Sequence, residues 1–234
     1  MRFLEKFHTR PAAIRVAPFV IFVLLTAAQG KFGVASAYWL YLAKTLLGAG
    51  LIWALRPCVA EMRWSFSWEA LLVGIGVFAM WAGISGDWTT QNWLWPKLGL
   101  SHPAGKIVAS WNPNEQFGAG SALAWLFIAV RILGSTFIVP PLEEVFYRSF
   151  LYRYIANHHF LSVPLNQFLP RSFFVTAFVF GLAHNEWLAG IICGAAFQWL
   201  VLRKNRLGDA MTAHAITNFL LGLWVITRGA WHFW

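Results

Sequence analysis

Apolar residues gather in this chain into long runs rather than amphipathic stripes, and polar links separate the runs. The pattern predicts about eight helical segments: Ala12–Ala28, Ala35–Leu55, Ala70–Ile84, Ser121–Val139, Leu142–Ala156, Ser172–His184, Trp187–Leu202 and Ala210–Thr227. Runs approaching twenty residues are long enough to cross a hydrocarbon core about 30 Å thick. Pro140 and Pro141 are expected to break the chain between the fourth and fifth segments, because proline lacks the N–H donor and clashes with the preceding turn. Acidic residues just after that pair fit a helix start. Gly86–Gly118 is the longest non-apolar stretch. It is rich in Trp, Pro, Gly and Asn and reads as a loop with room for an interfacial helix. Long loops in compact proteins are functional or disordered, and the tryptophans argue against disorder.

Composition agrees with the pattern. Of 234 residues 59% are hydrophobic and only 12% are charged, too few to cover the surface of a soluble domain. The 15 Trp and 21 Phe suit a lipid-facing protein with aromatic residues near the interfaces. The predicted fold class is therefore all-α: a polytopic membrane helix bundle around a polar intramembrane cavity, built as a single domain over 1–234 with no internal repeat. No cleavable signal peptide is evident, and the first run reads as a retained span.

The net charge of +9 does not point to nucleic acid, because the basic residues sit singly at the ends of apolar runs, as juxtamembrane charges do. The partner it implies is the bilayer. If all eight segments cross, Arg203, Lys204 and Arg206 fall opposite the basic tail (Arg2, Lys6, Arg10, Arg15), and neither side is enriched. If the fifth segment does not fully cross, the links with Arg56 and Arg63, Arg153 and Arg171, and Arg203 to Arg206 join the tail on one face, and the positive-inside rule holds. That arrangement is favoured, with a cytoplasmic N-terminus and a fifth helix that is short, half-buried or re-entrant. Cys58 and Cys193, the only cysteines, lie in or beside apolar segments and support neither a disulfide framework nor a Cys-based metal site.

Nine acidic residues occur, and two of them, Glu143 and Glu144, are adjacent in the apolar stretch Ile138–Leu151. A charge at mid-bilayer costs at least about 2.5–3.5 kcal/mol, and two neighbouring carboxylates cost more unless one is protonated or each has a partner. Arg148 lies four residues after Glu144, on the same helix face; Glu143 is turned about 100° away and is free to face a cavity. A helix end whose glutamates satisfy orphan N–H groups is the bland alternative. His184 closes the sixth segment, and alone such a histidine is more often a cap or an interfacial residue. His214 and Asn218 lie one turn apart on the eighth, where an interhelical hydrogen bond is the bland reading. In combination, three apolar segments carry carboxylate, imidazole, and imidazole with carboxamide. Helices bury such groups by facing them toward one another or toward water.

Glu143-Glu144-Val145-Phe146-Tyr147-Arg148 forms EExxxR, Phe180 to His184 forms FxxxH, and His214 to Asn218 forms HxxxN. In this order the set resembles the CPBP family of intramembrane proteases, which includes the type II CAAX prenyl endopeptidases and bacterial bacteriocin-processing and self-immunity proteins. The resemblance spans about Val139–Leu223 and leaves the first 120 residues unconstrained. The chain length and the Trp-rich middle loop also resemble CAAX-protease-related proteins associated with exosortase sorting systems.

The resemblance implies an endopeptidase that cleaves near the C-terminus of a membrane-associated substrate with a glutamate-activated water, in a bacterial inner membrane. Carried over, Glu143 is the general base, assisted by His184; His214 and Asn218 stabilise the oxyanion; Glu144 and Arg148 support. The implied partner is a peptide or protein tail, with prenylation and an exosortase-type system both left open. No cofactor is implied. Serine or cysteine chemistry is disfavoured, since no GxSxG occurs and neither Cys lies in the motifs. HExxH is absent too, although two His and a Glu could hold a metal if they converge. The rival reading is a non-catalytic peptide-binding, immunity or sorting protein, or a small proton-coupled transporter that uses the acids as a relay.

Overall fold

A computed structural model describes residues 10–84, 86–100 and 111–234. The tail residues Arg2 and Lys6, and residues 101–110 of the middle loop, lie outside the described residues. The described residues are helical and contain no strand. The main helices are α1 (Pro11–Ala28), α2 (Ser36–Leu55), α3 (Trp68–Gly83), the short α4 (Gln91–Lys97) and α5 (Pro113–Phe117), α6 (Ala122–Ala156), α7 (Pro170–Leu182), α8 (Trp187–Lys204) and α9 (Gly208–Arg228). Four of them, α1, α2, α6 and α9, are long and apolar enough to cross a membrane, and α3 and α7 are shorter apolar helices. Large apolar side chains such as Leu24, Trp53, Leu72 and Phe174 are more than 60% exposed. A surface of that kind is stable against lipid and not against water.

The expected break at Pro140-Pro141 is not there. The fourth and fifth predicted segments form the single 35-residue helix α6. Its ladder changes instead of stopping. Gly134–Ile138 is π-helical, Val139–Glu144 returns to α, and Val145–Leu151 is π-helical again. In the first π stretch Val139 N–H donates to the Gly134 carbonyl, five residues back. A wider turn moves the preceding carbonyls away from the proline rings, so the helix passes the pair without breaking.

The chain groups into two compact units. One gathers Met1–Arg63, Ser110–Phe146 and Asn218–Trp234. Its core joins Tyr38, Tyr41, Trp111 and Phe127, with Phe117 and Trp234 packed against them. Arg131 lies over the rings of Trp111 (4.6 Å), Tyr41 (4.9 Å) and Trp234 (5.4 Å), and aromatic faces stabilise a cation removed from water. Lys44, only 4% exposed, lies 4.4 Å from the Phe22 and Tyr41 ring centroids and donates to Thr26 Oγ1 at 2.8 Å. Aromatic faces thus lie against both cations. Gly48 of α2 faces Ile138, where a Cβ would come within 2.6 Å of the isoleucine methyl. Arg15 and Glu61 pair at 2.9 Å.

The other unit gathers Trp64–Ala109 and Tyr147–Thr217. Small residues let its helices approach closely, as in other membrane bundles. A Cβ on Gly74 of α3 would come within 2.8 Å of the Ala213 carbonyl on α9, and Thr217 donates to the Gly74 carbonyl at 2.9 Å. Between α7 and α8 a Cβ on Gly190 would come within 2.8 Å of Gly181 Cα, and one on Gly194 within 3.1 Å of Ala177 Cα. Asn205 ends α8 in the left-handed region at φ 52°, after Arg203 and Lys204 in the last turn, as helix C-termini favour. Lys204 then pairs with Glu69 at 2.6 Å.

Candidate active site

In the second unit, Phe180 is the residue around which the site chemistry gathers. It is fully buried on α7. Its ring lies 4.6 Å from that of His184, 6.2 Å from that of His214 and 5.0 Å from that of Tyr147. The Arg148 guanidinium lies 4.4 Å above it. His214 also stacks on Phe197 at 5.1 Å. Two histidines and an arginine that are far apart in sequence are thus brought onto one aromatic core.

His184 sits in the turn just after α7, partly buried. Its Nδ1 lies 2.7 Å from the Phe180 carbonyl. A carbonyl only accepts, so Nδ1 carries the proton, and in the neutral ring Nε2 keeps a free lone pair. This gives FxxxH a local meaning: the phenylalanine supplies the ring that His184 packs on and the carbonyl that sets its tautomer. Trp81 closes another side of the imidazole, with ring centroids 5.5 Å apart. His214 is 4% exposed. Arg148, wholly buried, donates to the Gly194 carbonyl at 3.2 Å and so ties this part of α6 to α8.

The other unit holds Glu143, Glu144 and Asn218. Both glutamates follow Pro140-Pro141 on the short α stretch between the two π turns. Glu144 is fully buried. Glu143 is partly buried, and its Oε2 is shielded from solvent and has no hydrogen-bond partner among the described residues. Lys44 is near enough to Glu143 to interact with its charge. Asn218 Nδ2 donates to the Ser135 carbonyl at 2.8 Å. The sequence suggested an interhelical hydrogen bond as the bland role of this residue, and the structure identifies its acceptor.

Helix spacing keeps Glu144 one turn from Arg148 on α6 and His214 one turn from Asn218 on α9. Among the described residues, no group of three His, Cys, Asp or Glu side chains has the arrangement of a metal site. One polar contributor carried no signal in the sequence. Gln91, at the start of α4, donates through Nε2 to the carbonyls of Leu182 (2.7 Å) and His184 (2.9 Å).

Together these features define an integral membrane protein, helical throughout its described residues, that carries Glu143, Glu144, Arg148, His184 and His214 on or at the ends of apolar helices. Residues 124–220 match the family model described as type II CAAX prenyl endopeptidase Rce1-like. Over that segment, which is less than half of the chain, the protein is similar to that family of proteases, and the match includes Glu143, Glu144, Arg148, His184, His214 and Asn218. The match is to the family as a whole and assigns no subgroup within it. No curated protein and no solved structure matches the chain.

Proposed function

We propose that the chain is an intramembrane endopeptidase that hydrolyses a peptide bond near the C-terminus of a membrane-associated substrate with a glutamate-activated water. The observation that carries the reading is the family match over 124–220, which contains all three polar motifs. The local chemistry supports it. Glu143 has an unpartnered carboxylate oxygen shielded from solvent, and His184 has its Nδ1 committed to a carbonyl, which leaves Nε2 to hold a water.

In this mechanism Glu143 takes a proton from the water, whose oxygen attacks the scissile carbonyl carbon. The carbonyl π electrons move to its oxygen, and N–H groups of His214 and Asn218 stabilise that oxyanion. Asn218 Nδ2 has two hydrogens; one is bound to Ser135 and the second serves the oxyanion. Collapse breaks the C–N bond, and protonated Glu143 returns its proton to the leaving amine. Donors aimed at a developing negative charge are worth about 3–4 kcal/mol each. The substrate class is a peptide tail presented at the membrane, of the CAAX or C-terminal sorting kind, and the compartment is a bacterial inner membrane with the N-terminus cytoplasmic.

The test is Glu143→Ala, with Glu143→Gln as the isosteric partner, in cells that co-express C-terminally tagged tail substrates. Mass spectrometry of membrane proteins should find shortened C-termini with the parent chain and none with either variant at equal protein level. Equal processing by parent and variants overturns the reading.

A further inference from the structure

The matched family segment begins at residue 124, and nothing in the sequence motifs reaches the Trp-rich stretch before it. One residue of that stretch, Gln91, makes three hydrogen bonds to the turn that carries His184. A helix leaves its last carbonyls without backbone donors, and at the end of α7 two carbonyls receive theirs from Gln91. The two hydrogens of Gln91 Nε2 go to Leu182 O (2.7 Å) and His184 O (2.9 Å). The Gln91 backbone N–H donates to Asn185 O at 2.8 Å. The remaining polar atom, Oε1, accepts from Trp95 Nε1 at 3.3 Å. Both ends of the carboxamide are therefore engaged, and three carbonyls of the turn that carries the imidazole are held by one residue.

We infer that Gln91 is a positioning residue for His184: it fixes the turn after α7, so that the Nδ1 proton stays on the Phe180 carbonyl and Nε2 stays open. This inference rests on the proposed role of His184 for its catalytic consequence but not for its structural one. The residue acts through backbone carbonyls and touches no substrate. It makes the segment Asp87–Lys97 a brace for the imidazole, rather than a spacer between spans. Misplacement of a catalytic group by about 1 Å costs up to about 100-fold in rate, so a brace of this kind acts on turnover more than on substrate binding.

The test compares the full-length parent with Gln91→Met, which keeps side-chain length and removes both donors. The protein carries ¹⁵N-histidine in lipid nanodiscs, and the His184 signals are assigned by their loss in His184→Gln. The parent should show one neutral tautomer with a protonated Nδ1, and Gln91→Met should show mixed tautomers and faster proton exchange. With a farnesylated tail peptide as substrate, kcat should fall about 10- to 100-fold with KM little changed. If Gln91→Met does not fold, Trp95→Phe removes only the donor to Oε1 and should move the same signals less far in the same direction. His184 signals that superimpose on the parent's in whichever variant folds overturn the inference. If the parent cleaves no peptide, the proposed function fails while the nitrogen spectra still decide the role of Gln91.

Discussion

Because Pro140 has no N–H, the Ser135 carbonyl five residues earlier lacks its π-turn donor, and the Asn218 carboxamide supplies one at 2.8 Å. The proline thus creates an acceptor for α9 directly ahead of Glu143. Coupling between the two residues follows. Asn218→Leu, which removes the donor at similar size, should cost about 1 kcal/mol of stability, the scale of a hydrogen bond between membrane helices. In a Pro140→Ala background the restored N–H serves Ser135, so the same substitution should cost close to nothing. Equal losses in the two backgrounds, measured by denaturant unfolding in detergent, would sink the assignment. The activity readout is separate: if Asn218 has the proposed role of oxyanion donor, its loss lowers kcat about 100-fold or more, and that loss should persist in both backgrounds.

At the scale of elements, the α7–α8 hairpin depends on glycine where the backbones nearly touch. A Cβ on Gly190 would meet Gly181 Cα at 2.8 Å and its carbonyl at 3.2 Å, with His184 Cβ next at 3.4 Å. The first two are main-chain atoms that cannot rotate aside. Gly190→Ala should separate the helices at the His184 end and destabilise the protein by about 1–3 kcal/mol. Gly76→Ala, on α3 with open space around the new methyl, is the control and should unfold like the parent; matching melting curves for all three proteins would count against the close approach.

The helix bounds that sequence reading recovers are those set by long apolar runs with charged or Gly/Pro ends. Pro11, Pro170 and the Arg203 to Arg206 link mark them within two or three residues. The continuity of α6 was not legible, because proline forbids an α ladder but says nothing of a π turn that bypasses it, and that bypass depends on Gly134 and on a donor from α9. Buried ionisable residues were legible where their cost in lipid is high, as with Glu144, Arg148 and His214. Gln91 was not, since a single carboxamide in a polar, Trp-rich stretch is cheap, and its partners lie about 91 to 94 residues away in sequence.

At the scale of the whole molecule, the continuity of α6 changes the count of crossings. Split at the proline pair, the chain has eight segments, and the links with Arg153 and Arg171 and with Arg203, Lys204 and Arg206 fall on the face opposite the basic tail. If α6 crosses once, and α3, α7 and α8 cross as well as the other three long apolar helices, there are seven. The links after α2, α6 and α8 then all lie on the side of the N-terminus, and the middle loop and the C-terminus lie on the other. Basic residues in short links orient membrane proteins toward the cytoplasm, so the seven-crossing chain obeys the rule that the eight-crossing chain breaks. Fusions at two positions distinguish them. A periplasmic-only reporter such as alkaline phosphatase should be inactive when joined after Leu165, in the link between α6 and α7, and active when joined after Trp234. The opposite pattern would mean that the segment after Pro141 crosses on its own. It would also put the basic links on the outer face, leaving the helix that carries Glu143 divided between two passages of the bilayer.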